Sequence, residues 1–83
     1  MTLDELRREL FMIRAHEEAG NWEAVESLSE RTYVRLTTEP ETPQNYPHEE
    51  VIGYLAGFIR RRSDPPFAEQ QLSWLRRYLQ LQP

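Results

Sequence analysis

Residues 46–62, YPHEEVIGYLAGFIRRR, constrain the fold most, because their apolar residues run almost all the way round a helix. Val51, Ile52, Tyr54, Leu55, Ala56, Phe58 and Ile59 leave little polar face. A helix of that kind is covered on more than one side, so this segment is expected to be the central helix, over roughly 47–62. Pro47 suits its first turn, His48, Glu49 and Glu50 suit the positive end of its dipole, and Arg60, Arg61 and Arg62 suit its C-terminal carbonyls. Gly53 and Gly57 lie four apart on it, each costing about 1 kcal/mol relative to alanine. That spacing fits a close crossing by another helix of the same chain, or a homodimer contact.

The flanking sequence supplies partners for such a helix. Thr2-Leu3-Asp4-Glu5 has the form of a capping box, and Leu3, Leu6, Leu10 and Ile13 follow at 3, 4, 3 spacing with Phe11 and Met12 beside them. An amphipathic helix over roughly 3–19 is expected, stopped by Gly20. Asn21 caps a second helix, roughly 22–37, whose buried stripe is Trp22, Val25, Leu28, Thr32 and Leu36. The short break at Gly20-Asn21 makes these two an antiparallel αα-hairpin. Three prolines between residues 40 and 47 mark a loop. Asp64 with Pro65-Pro66 restarts the chain into a last helix over roughly 66–80. No second copy of the hairpin occurs at a period near ~34, which argues against a helical repeat. The expected fold is therefore all-α: a compact four-helix bundle forming a single domain, residues 1–83.

The last helix carries two stripes. One is Ala68, Leu72, Leu75 and Leu79; the other is aromatic, Phe67, Trp74 and Tyr78. A terminal helix in an 83-residue chain does not easily bury both. Either the core uses every aromatic, or part of this face docks a partner.

Charge is uneven. Residues 1–50 hold twelve acids against five arginines, a sum of −7, whereas residues 51–83 hold two acids against five arginines, a sum of +3. There is no cysteine, so no disulfide framework or thiolate metal site, and two histidines give little for a metal centre. His16-Glu17-Glu18 and His48-Glu49-Glu50 each place their groups on different helix faces, so neither chelates alone. No glycine-rich phosphate loop and no G-x-S-x-G turn occurs. The expectation is no enzyme, no catalytic residues, no metal and no cofactor. The longest nearly apolar run, 51–59, is too short to span a bilayer, and the charged start lacks the apolar region of a secretory signal. A cytoplasmic protein without membrane contact is expected.

Two arginine clusters, Arg60–Arg62 and Arg76-Arg77, lie near Trp74 and Tyr78, as a helical nucleic-acid-binding domain would use them. A net charge of −4 opposes that use. The leading expectation is a small acidic protein–protein interaction module that binds, inhibits or chaperones a protein partner, basic in character. Its hydrophobic anchors would be Phe67, Trp74 and Tyr78, and its electrostatic contacts Glu23, Glu26 and Glu30.

Two stretches carry a resemblance. Val34-Arg35-Leu36-Thr37-Thr38-Glu39-Pro40-Glu41, the spacing of Glu49, Val51, Ile52, Leu55, Phe58, Pro65 and Phe67, and Tyr46-Pro47 together resemble the colicin and pyocin nuclease immunity proteins. Asn45 stands where that family has a tyrosine, and the helix beyond Phe67 is additional. The resemblance implies an inhibitor whose acidic second helix docks on a basic nuclease toxin. Gly20-Asn21-Trp22-Glu23 opening a helix is similar, more loosely, to FliT-type flagellar export chaperones.

Overall fold

The computed structural model describes residues 1–80 and is all-α, with five helices: α1 (Leu3–Glu18), α2 (Trp22–Thr38), α3 (His48–Ala56), α4 (Phe58–Ser63) and α5 (Pro65–Leu79). The first junction follows the expected chemistry. Thr2 and Glu5 form the reciprocal capping box of α1. At its other end Gly20 adopts a φ of 75°, and the amides of Asn21 and Gly20 donate to the carbonyls of His16 and Glu17. This pairing closes the helix end and needs a left-handed residue there. Asn21 Oδ1 then accepts from the Ala24 amide and starts α2. The Asp64 carboxylate accepts from the Phe67 amide, with Pro65 at the first helical position of α5.

The expected continuous helix over 47–62 is not formed. It breaks at Gly57 into α3 and α4, and the reason is a packed polar contact rather than flexibility. A Cβ on Gly57 would lie 2.6 Å from Gln71 Oε1 on α5 and 2.8 Å from the Gly53 carbonyl oxygen. The Gly57 amide donates to Tyr54 instead of Gly53. The Gly53 carbonyl so released accepts from Gln71 Nε2 at 3.2 Å, and Tyr54 O accepts a second bond from Arg61 Nη1 at 2.6 Å. Pro47 is the residue before α3 rather than in its first turn, and no side chain caps that end.

The core is drawn from four helices: Leu6, Leu10 and Ile13 of α1; Val25 and Leu36 of α2; Val51, Tyr54 and Leu55 of α3; Leu75 and Leu79 of α5. Leu3, expected in the α1 stripe, is exposed, as are Phe11 and Met12. Thr32 is fully buried, while Trp22 and Leu28 only edge the core. The central segment is not covered all round. Ile59 is 71% exposed, because the bend at Gly57 turns it away from the helices that cover Tyr54 and Leu55.

One charged residue lies inside. Arg61 is 3% exposed. Its Nε donates to both carboxylate oxygens of Glu17 at 3.0 and 3.1 Å, its Nη2 stands 2.9 Å from Glu17 Oε1, and its Nη1 also donates to Gln71 Oε1 at 2.7 Å. The guanidinium lies 4.0 Å from the Tyr54 ring centroid. This node ties α1, α3, α4 and α5 together through one side chain, with charge-assisted bonds replacing the water that burial removes.

Candidate interaction surface

The bend that exposes Ile59 also opens a shallow groove between α2 and the α3–α4 pair. It encloses about 340 Å³ and is lined by Ser29, Glu30, Tyr33 and Val34 from α2 and by Leu55, Ala56 and Phe58 across from them. Val34 is 54% and Tyr33 42% exposed. Their outward position follows from helical register. The buried stripe of α2 passes through Val25, Ser29, Thr32 and Leu36, so residues one or two beyond Thr32 stand on its flank. Ser29 Oγ, buried beside the groove, has no hydrogen-bond partner among the described residues. Unlike scattered surface apolar residues, Tyr33, Val34, Ala56 and Phe58 gather around one concavity.

The charges around this groove differ from those elsewhere. On α1 four of the five acids are paired within the chain, all but the exposed Asp4: Glu5 pairs with Arg35, Glu9 with Arg31, Glu17 with Arg61 and Glu18 with Arg14. Glu23, Glu26 and Glu30 are exposed on α2, as are Glu49 and Glu50 at the start of α3, and among the described residues none of them forms an ion pair. Glu26 and Glu30 share the face of α2 that bears Tyr33 and Val34. Glu49 heads the register that continues through Ile52 and Ala56.

The three aromatics of α5 are placed differently from one another. Trp74 stacks on Tyr78, with centroids 5.5 Å apart and planes 4° from parallel, and tilts against Tyr54 at 6.3 Å. Arg7 crosses from α1 to lie over Tyr78 at 5.3 Å and donates to the carbonyls of Tyr78 and Leu79. Trp74 and Tyr78 thus edge the core, while Phe67 sits apart under the Arg60 guanidinium at 4.1 Å. A second, smaller depression of about 240 Å³ is lined by Glu50, Gly53, Phe67, Gln70, Gln71 and Trp74. It shares no lining residue with the groove on α2, so the aromatic anchors and the acidic contacts expected from sequence do not line one concavity. Gly57 takes its close approach from α5 of the same chain, and a Cβ on Gly53 would meet nothing within 4 Å.

The arginines expected as a cluster also diverge. Arg61 points inward, Arg60 binds Asp64 at 3.2 Å, Arg62 lies 5.9 Å over the Trp22 ring, and Arg76 stands 3.8 Å from Glu69. Burial pushes the phenol of Tyr54 well above its ordinary value and raises that of Tyr46. Tyr46 bonds His48 Nδ1 at the entrance to α3. Among the described residues no group of three or more histidines and acids is placed to hold a metal ion, and no helix is long and apolar enough to cross a membrane.

Sequence reasoning passed over Tyr33, Val34 and Ile59. Tyr33 and Val34 lie beside the buried stripe and carry the signal of apolar residues out of register. Ile59 carried none, since its exposure depends on the break at Gly57. No protein-family model matches the chain, and no curated protein or solved structure is significantly similar to it.

Proposed function

We propose that this chain is a non-enzymatic, cytoplasmic protein–protein interaction module that engages its partner through the groove between α2 and α3–α4. The observation that carries this reading is an apolar concavity lined by exposed Tyr33 and Val34 with Ala56 and Phe58, next to which exposed Ile59 follows in the chain. Folding leaves these groups in water although each would gain by burial, about 25 cal/mol per Å² of apolar surface covered. Glu23, Glu26 and Glu30, on the same helix, serve as the electrostatic contacts. Phe67, with Trp74 beneath it, offers a second contact on α5. Binding here could be inhibition of the partner, as in the immunity-protein reading, and the unpaired acids of α2 favour a basic partner for it. A nucleic-acid reading has less to draw on, since Arg60 and Arg61 are engaged within the chain.

Tagged protein and its Val34→Asp/Ile59→Asp variant are compared by capture from the source lysate. Both substituted residues are more than half exposed, so the variant keeps its helical circular dichroism and cooperative melting. A stoichiometric protein retained by the wild type and by Phe67→Ala, and lost by the groove variant, is the expected result. Retention by the groove variant with loss on Phe67→Ala moves the site to α5. Retention by both variants, or no stoichiometric partner, overturns the reading.

A further inference from the structure

The groove has a chemical preference, and the distribution of unpaired charge states it. Resting on the reading of the α2/α3–α4 groove as the docking surface, we infer that its occupant is a cationic amphipathic helix: an apolar stripe seated on Val34, Ala56 and Phe58, with exposed Ile59 next to Phe58 in the chain, flanked by lysine or arginine that meets Glu26, Glu30 and Glu49.

Three observations converge on that class. The groove is a shallow trough between helices, with Ala56 and Phe58 in one wall and exposed Tyr33 and Val34 in the other. Such a trough accepts a stripe of side chains at i, i+3, i+4 and i+7. Acids lie towards both ends of the stripe, Glu26 and Glu30 where α2 faces α4, and Glu49 at the start of α3. Among the described residues these carboxylates form no ion pair, whereas Glu5, Glu9, Glu17 and Glu18 of α1 are all matched to arginines. Arg62, beside Glu23 and Glu26 at the far end, is the one cation near this face, and the rim is otherwise acidic. That rim also weighs against a second copy of the chain, because self-docking would set the carboxylates against their own images. An acidic or polyanionic partner meets the same repulsion.

The test uses a synthetic helix-forming peptide of ~18 residues, about five turns, with leucine at i, i+3, i+4, i+7 spacing and lysine and arginine flanking the stripe. Its twins are a scrambled peptide of identical composition and one with glutamate at every basic position. Titration into ¹⁵N-labelled protein is expected to shift the amides of Tyr33, Val34 and Ala56 with the basic amphipathic peptide alone. Affinity is expected to fall about tenfold in Glu26→Gln/Glu30→Gln/Glu49→Gln and with added salt, the sum of modest losses at exposed charges. Binding of the scrambled or acidic twin as tightly as the basic one overturns the inference, as do shifts confined to other helices. So does a wild type that self-associates in sedimentation through the groove, with Val34→Asp/Ile59→Asp monomeric. The two levels separate in the lysate: a partner lost by Val34→Asp/Ile59→Asp but held fully by the triple glutamine variant keeps the docking surface and overturns the cationic helix.

Discussion

At the scale of single residues, Arg61 carries the most consequence. It is the one charged side chain taken wholly into the described interior, and it is surrounded by acceptors: Glu17, Gln71 and the Tyr54 carbonyl. A buried ion pair contributes little net stability against a hydrophobic alternative, yet removing one member strands the other. Arg61→Ala leaves the largely buried Glu17 carboxylate and the Gln71 amide oxygen without their donor. A loss of about 3–5 kcal/mol in urea unfolding is expected, on the order of what breaking a buried pair costs. Glu17→Gln added to Arg61→Ala is expected to cost much less than Glu17→Gln alone, since its partner has already gone. If the two losses simply add, Glu17 and Arg61 are not acting as a pair.

At the scale of elements, the two glycines of the central segment behave oppositely. Gly53 lies within α3 with open space where a Cβ would stand, so Gly53→Ala exchanges a poor helix former for the best one. A gain of up to about 1 kcal/mol is expected. Gly57 lies at the break, where a Cβ would press on the Gly53 carbonyl and on Gln71. Gly57→Ala is expected to destabilise by about 1–3 kcal/mol, the scale of overpacking. Thermal melts of the two variants moving in the same direction would contradict this account of the bend. The same pair marks the limit of what the residues alone convey. Caps at Thr2, Asn21 and Asp64 and the stripes of α1 and α2 were legible, because they depend on neighbours within a turn or two. The break was not, because it depends on Gln71 and Arg61 arriving from fourteen and four residues further on. Ile59, expected within the covered segment, is 71% exposed beyond that break. Glu23, Glu26 and Glu30 were legible as an acidic face. That Glu5, Glu9 and Glu17 of α1 would be paired while these stay bare depends on arginines of α2 and α4 crossing between helices.

At the scale of the whole molecule, charge couples stability to pH through one exposed node. Arg35 binds Glu39 within its own helix end and Glu5 across on α1, both at 2.8 Å, and the amino group of Met1 also reaches Glu39. The hydrogen bonds from Arg35 hold both carboxyls below their ordinary value of 4.5. A folded-state value depressed below the unfolded one stabilises the fold above the unfolded value, and that contribution is lost as pH falls through the folded one. The melting curve of the wild type against pH sums over the whole chain and does not isolate the node. The difference between wild type and Arg35→Met does isolate it, since every other group is common to both. The wild type is expected to melt higher at neutral pH, with the gap holding down to about the ordinary carboxylate value and closing below it as Glu5 and Glu39 protonate. Added salt is expected to narrow the neutral gap, because the pair is exposed and screened. A gap that stays constant from neutral pH into strong acid assigns Arg35 to packing of its aliphatic stem between α1 and α2, and removes the electrostatic account of this node.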